Sequence, residues 1–510
     1  MSVLATLPQV EIAVGGAALP DELARALGEV QVHQRLSMPA QVELTLLDLP
    51  PGLDGHALFT PGAALHLTVA GWRETLFAGE VTAVEHSYGA DHGHEVRVRG
   101  YDLLHRLRKR QEVRAHIQVN AAELAQEFAA ALGLAVHAAD AGPIWQRLYQ
   151  HDQSDLALLV DVAARAGLYL TVQENALHLI TLAGLGAGLG ATLPLALGET
   201  LFEARVEVNA DPACRQVTTT GWDPLRVEAH RGQATTARSG RAVGAAAEPG
   251  RVGGDGHRKL VGERTPTDDH AQALAQAELD RRLAGEVTLW GVAAGSPQLR
   301  PGARIEVAGV TPSLAGRYVL TEVHHQIDAE HGYVSELSTA PPAIPPRSKE
   351  AVATLGIVSA VDDPQRVGRI RVALPAYGNV ESDWLGMVSI GGGAGKGLVI
   401  LPDVGDRVLV LLLHGEPGEG VILGGLFGMD GPPDSGVENG AVRRYTLQTP
   451  GGQRLRLDDT ERSVRFENRD GSFVELAPGK VRVHAATDLE LEAPGRAIVI
   501  RGQSVDFQQG

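Results

Sequence analysis

From Gln453 to the end of the sequence, apolar pairs spaced two residues apart recur every seven to ten positions: Leu455/Leu457, Val464/Phe466, Val474/Leu476, Val481/Val483, Leu489/Leu491, Ile498/Ile500 and Val505/Phe507. Alternation of this kind puts both members of a pair on one face of a short strand. Turn formers fill the gaps, as in Asn468-Arg469-Asp470-Gly471, Pro478-Gly479 and Pro494-Gly495. A lone meander of such strands exposes one apolar row and two free edges, which invites aggregation unless both are covered. Three copies closing into a triangular prism satisfy the requirement, with the inner rows meeting on the axis. Burying two apolar side chains per strand is worth roughly 3 to 6 kcal/mol, so seven strands in each of three chains would make a very stable rod. A small sandwich packed on the preceding domain is the alternative. The repeat spacing favours the prism.

Upstream, two breaks divide the chain. Pro341, Pro342, Pro345 and Pro346 in PPAIPPRSKE hold an extended, semi-rigid connector, and Gly428–Gly440 is dense in turn formers without apolar periodicity. The expected organisation is a large region over 1–340, a linker over 341–350, a barrel over 351–430 and the strand-repeat unit over 440–510. In the first region, Val81–Tyr88 and Glu95–Tyr101 read as a hairpin, flanked by strands at Val30–Val32, Val42–Leu46 and Leu65–Val69. Three helices are expected among them. Asn120 and Glu123 form a capping box ahead of Leu124, Phe128 and Leu132, with Gly133 as the stop. The second begins at Asp152 and ends at Gly167; the third begins at Thr265, with Pro266 at its first helical position, and ends at Gly285. Ser239–Gly256 reads as an exposed mobile loop or a linker between subdomains.

Composition narrows the function. The formal net charge of −17 opposes broad contact with a phosphate backbone, and aromatic residues at 4% leave few stacking platforms for an oligonucleotide-binding barrel. The one cysteine, Cys214, excludes an intrachain disulfide and every CxxC zinc or redox signature. The first residues lack a basic n-region and a sustained apolar h-region, so synthesis in the cytoplasm without a signal peptide is expected. The longest apolar run, Val408–Leu413, is far short of the ~18 residues that span a bilayer and reads as a buried strand.

Several stretches invite a chemical reading and fail it. Gly391–Gly397, with Lys396, has Gly397 where a phosphate-binding loop needs Ser or Thr, and no helix pattern follows. In Gly184–Gly190, Gly186, Gly188 and Ala191 fit a permissive dinucleotide-binding turn, but Thr192 and Pro194 stand where a helix has to open. Asp91, His92, His94 and Glu95 crowd potential metal ligands at a predicted hairpin turn, where polar residues are expected anyway. His324 and His325 are adjacent on a strand and point to opposite faces. Asp268, Asp269 and His270 fall in the first turn of a helix, where acidic groups suit the dipole. GxSxG and HExxH are absent. The expected set of catalytic, cofactor-binding and metal residues is therefore none. Scattered carboxylates keep open a tail-associated enzyme that cleaves peptidoglycan or another glycan.

The middle segment carries the most specific pattern. Gly356-Ile357-Val358, Asp363-Pro364, Gly368-Arg369-Ile370-Arg371-Val372, Pro375, Trp384, Leu401-Pro402, Val404-Gly405-Asp406, His414-Gly415, Pro417 and Leu423-Gly424-Gly425-Leu426 resemble, in order, the OB-fold barrel of VgrG-type and phage baseplate spike proteins. Gly100–Arg110, Tyr149–Leu170, Val217–Pro224 and the stretch around LRPGARIEVAGV resemble the hub of the same proteins. The resemblance implies a mainly β chain with an α+β hub of two barrel-like subdomains, an OB-fold barrel, and a trimeric β-helical needle where the strand repeats lie. It implies a structural homotrimer, not an enzyme, at the tip of a contractile tail or injection system. The implied partners are a hexameric tail tube, baseplate proteins, a separate PAAR-like tip protein and a target envelope. No inserted lysozyme-like domain, effector extension or PAAR sequence is recognised. Phage tail, type VI secretion and extracellular injection particle all remain open as the parent machine.

Overall fold

Alternating Val30/Val32, Val42/Leu44/Leu46 and Val96/Val98 give strands whose apolar side is wholly buried, and these strands form the middle of an eleven-stranded sheet. In the computed structural model, described for residues 9–49, 58–89, 93–186, 191–223, 228–344, 350–429 and 431–508, the sheet runs in the order 201–208, 287–294, 332–338, 322–328, 27–35, 41–47, 93–101, 75–89, 64–69, 10–14, 17–18. The two ends of this region meet in antiparallel register where Glu29–Arg35 pair with Glu322–Asp328. One apolar core lies under the early strands, including Phe59, Leu67 and Phe77. A second lies under the late ones, including Leu289, Ile305 and Tyr318. A single continuous sheet thus carries both cores, because Leu27–Arg35 is hydrogen-bonded on both sides.

The expected hairpin is present as Thr75–Gly89 and Gly93–Tyr101. The helix Ala121–Ala130 starts in the capping box of Asn120 and Glu123, and Gly133 is left-handed at φ 70°. The second helix is shorter than expected, Asp155–Arg165, because the Ser154 hydroxyl, not Asp152, accepts the Ala157 N–H. The third is Asp268–Glu286: Thr267 caps it, so Pro266 stands before the cap and not at the first helical position, and the helix runs past Gly285. A short helix, Asp21–Ala26, was not expected. Helices 121–130 and 155–165 pack with the small sheet of 135–138, 169–173 and 176–180 around a third core.

Ser239–Gly256, expected as a mobile loop or a linker, is tied into the fold by strand pairing and by charge. Ala242–Val243 pairs with Gly316–Arg317, and the buried Glu286 carboxylate accepts the Ala247 N–H at 2.7 Å while facing Arg215 at 2.8 Å and Arg241 at 3.5 Å. Charge pairing anchors a stretch that has no apolar periodicity to announce it.

Residues 352–426 form a six-stranded sheet in the order 380–381, 371–374, 352–360, 407–412, 420–426, 386–387, curled as a half-barrel around Val372, Val408, Val410, Leu412 and Ile422. Val408–Leu413 contributes its strand to that interior, as expected. Tyr149 from the first region enters the same core. Beside it the Arg264 guanidinium, 8% exposed, meets Glu416 at 3.0 Å and Glu419 at 2.8 Å. It also lies 5.0 Å from the Trp145 ring. The chain divides into two units, residues 1–424 and 425–510. Of the expected linker, residues 345–349 lie outside the described residues.

Replacing Arg264 by leucine strands two carboxylates against the barrel; the expected loss is about 3–5 kcal/mol in unfolding free energy, read by denaturant titration. His270 supplies a pH test. Its ring is buried edge-on against Trp145, and burial, reinforced by the Arg264 and Arg165 charges, pushes its pKa down to about 4. The unfolded chain then binds a proton near pH 6.5 that the folded chain refuses, so this contribution is intact above pH 6.5 and drains away as pH falls toward 4. The stability of the natural chain relative to His270→Gln should drop by about 3 kcal/mol between pH 7 and 4, read from paired melts.

Candidate assembly surface

Five strands, Arg444–Gln448, Arg454–Asp458, Ser463–Glu467, Phe473–Ala477 and Lys480–His484, make an antiparallel meander in the C-terminal unit. Its register aligns two apolar rows across all five strands. One is Tyr445, Leu457, Val464, Leu476, Val481; the other is Leu447, Leu455, Phe466, Val474, Val483. Eight of these ten side chains are 39% to 67% exposed.

The opposite face is ionic. Arg454 and Arg465 hold Glu467 at 3.3 and 2.7 Å, Arg465 reaches Glu475 at 3.3 Å, and Arg456 reaches Asp458 at 3.4 Å. At the head of the first strand Arg444 grips Asp434 through Nε at 3.0 Å and Nη2 at 3.1 Å. That fork, helped by the Gly436 N–H, holds the Asp434 carboxyl well below the usual carboxylate range. One face is therefore made for water and the other against it.

Beyond His484 no further strand is described up to residue 508, and Leu489, Leu491, Ile498, Ile500, Val505 and Phe507 are exposed. Four of the seven expected apolar pairs thus lie on observed strands and three do not. The single chain shows an open meander rather than a prism. Among the described residues these three short segments have no ladder partner. Arg444–Gln448 was missed, although Tyr445/Leu447 shows the same alternation one turn upstream.

A second apolar exposure lies in the unit of residues 1–424. Between Gly386–Met387 and Arg407–Leu412 the chain leaves the half-barrel as an arm closed by Leu398 N–H to Ile390 O at 3.0 Å. Ile390 and Val399 are 80% and 83% exposed, and Leu398, Ile400, Leu401 and Val404 are exposed as well. The tip of the arm is Gly391–Gly397, where Gly391, Gly395 and Gly397 have φ of 67°, 68° and 130°. This is a glycine turn with no helix after it, so it offers no phosphate cradle. The sequence cue for the arm was the apolar run Leu398–Leu401, which has no polar alternation.

The remaining candidates separate. Leu193–Ala196 is a strand, so no helix follows Gly184–Gly190, of which 187–190 lie outside the described residues. His94 stacks on His86 and Tyr88, Glu95 pairs with Arg97, and Asp91 and His92 lie outside the described residues. His325 is buried against Ser335 at 2.9 Å while His324 faces the other way. Asp268 accepts the Arg231 N–H at 2.9 Å at the head of its helix. No group of three or more potential metal ligands gathers among the described residues. The motif residues of the barrel instead lock turns: Arg369 forks onto Asp363 at 2.6 and 3.1 Å, and Asp363 also accepts the Gln365 and Val367 N–H groups. Those bonds hold its carboxyl far below the ordinary range.

What this arrangement can do is bury an equal or complementary apolar face. Ten side chains half-covered in the single chain hold on the order of 10 kcal/mol per chain in reserve, comparable to the cost of association. Leu457→Glu should abolish self-association measured by light scattering, while Glu475→Gln on the ionic face should leave it intact.

Comparison with known proteins follows the same division. Residues 354–427 match the family model described as the Type VI secretion system/phage-baseplate injector OB domain. Residues 5–329, more than half of the chain, match that described as the Alg8 N-terminal domain. No curated protein matches. Among solved structures, the E. coli c3393 protein, described as a type VI secretion component similar to the T4 phage tail proteins gp27 and gp5, superposes with a TM-score of 0.52 at 14% identity, over 81% of this chain and 99% of its own. The half-lidded Francisella PdpA-VgrG complex contains a chain similar at TM-score 0.56 and 8% identity, over 94% of this chain and 88% of that one. At such identities the likeness is one of fold.

Proposed function

The chain belongs to the family of the Alg8 N-terminal domain and has the VgrG-like fold of gp27/gp5-type spikes, and from that premise we propose that it is a structural homotrimeric spike of a contractile tail or injection system. The observation that carries the reading is the meander with one ionic face and two unbroken apolar rows. Three such faces turned inward remove the exposed rows at once and leave the ionic lattice outside. The runs at 489–491, 498–500 and 505–507 find their missing ladder partners in neighbouring copies, extending the sheet into a β-helical needle. Five strands span ~20 Å at strand spacing, and three more take the shaft toward 40 Å.

In this reading the eleven-stranded sheet faces the tail tube and baseplate, with two cores per chain supplying six similar elements per trimer. The barrel forms the collar, and a separate PAAR-like protein sits at the needle end. The chain is made in the cytoplasm and built into the particle, whose target is a cell envelope. Its work is mechanical, with no catalysis of its own.

Purified chain should scatter light as a species three times its 53.8 kDa mass and resist SDS until heated. A monodisperse monomer at micromolar concentration would refute the proposal.

A further inference from the structure

A cleft of about 790 Å³ opens in the first unit, between the end of strand Leu27–Arg35, the start of strand Thr75–Gly89 and the hairpin turn at Glu174-Asn175. Two features set it apart. The Arg300 side chain is only 17% exposed, and its burial pulls the guanidinium pKa down, yet its nearest carboxylate is Glu174 at the outer limit of 4.0 Å. Among the described residues no hydrogen bond from this guanidinium is found, whereas Arg215, Arg238 and Arg264 each bind carboxylates at 2.8 Å. A cation this poorly exposed, with no carboxylate closer than 4.0 Å and only the charge of Glu74 besides, is a costly thing to keep.

The second feature lies one residue further on. Gln173 donates from Nε2 to the Pro301 carbonyl at 3.2 Å, and its Oε1 is buried without a partner. Gln34, also in the cleft, donates to Leu76 O at 3.2 Å and leaves its own Oε1 unpartnered. The turn that carries Glu174 is strained: Glu174 and Asn175 have φ of 49° and 61°, and the left-handed region is unfavourable for a glutamate. The cleft therefore gathers a poorly exposed guanidinium, two glutamine side chains whose buried oxygens lack partners, and an apolar wall of Leu65, Phe77 and Leu103.

We propose that this cleft binds the C-terminal end of a polypeptide, Arg300 taking the free carboxylate, Gln173 the adjoining amide N–H and the apolar wall an aliphatic last side chain. An inorganic anion would satisfy Arg300 but bring no donor for the glutamine oxygens. A neutral peptide would do the reverse. Glu174 competes with the ligand for Arg300, so its charge weakens the site it borders. This site is independent of the trimer and of the spike reading.

The test is ligand-observed saturation-transfer NMR on the full chain with N-acetyl-leucine. Saturable binding is expected, weaker by about tenfold or more in Arg300→Gln and for N-acetyl-leucinamide, and tighter by about threefold in Glu174→Gln. Because Arg300 makes no hydrogen bond, Arg300→Gln should melt within about 2 °C of the natural chain. Should that variant fail to fold, the Glu174→Gln gain and the acid-over-amide preference decide the matter. Unchanged binding in Arg300→Gln, equal binding of the amide, or equal binding of inorganic phosphate or of the side-chain acid N-acetyl-glutamic α-amide would each overturn the proposal.

Discussion

The pairing of Glu29–Arg35 with Glu322–Asp328 is the constraint on which the first unit rests. It places strands from opposite ends of a three-hundred-residue region side by side, joins two cores on one sheet, and fixes the frame into which the helices 121–130, 155–165 and 268–286 are set. Val30 opposite Ile327 and Val32 opposite His325 make the seam. His325 is buried there with its Nδ1 on Ser335, and burial drives its pKa down to about 3, so the seam is held by a neutral imidazole. Everything between the two strands is an excursion that must return to this line.

The half-barrel is tied to that frame by charges rather than grease alone. Arg264 sits in the segment just before helix 268–286, and Glu416 and Glu419 lie in the turn between strands 407–412 and 420–426. His414, left-handed at φ 56°, brings its ring 3.4 Å from Glu419. A buried cation with two carboxylates gives little net stability over an apolar contact but admits few geometries. Such a contact sets orientation.

What could be read from the chain followed local signals. The strands at 30–32, 42–46 and 65–69, the hairpin 75–101 and the capping box at Asn120 were legible because alternation and capping are properties of neighbouring residues. The barrel motif was legible because its residues, Asp363 with Arg369 and His414 with Gly415, serve turns that tolerate few substitutes. Helix starts at Ser154 and Thr267 were misplaced by two residues each, since several capping residues stood in a row and only the fold chooses among them. The anchoring of 239–256 by Glu286 was invisible, because the partners are about forty residues apart and charged. The apolar rows of the C-terminal unit were legible pair by pair, but their alignment across five strands depends on register. The cleft at Arg300 left no cue at all: its residues come from distant stretches of the chain, and what marks them is a poorly paired guanidinium and two glutamine oxygens without partners.

The seam has a cost in time. At ~5–20 residues per second, the ribosome delivers strand 322–328 roughly 15 to 60 s after strand 27–35 has emerged. Throughout that interval the earlier strand has one edge without its neighbour and Val30 and Val32 without their full cover, which is the state in which nascent sheets stick to one another. A chain built this way has to be sheltered while it is being made, and its yield in a cell is set as much by that wait as by the stability of the finished fold.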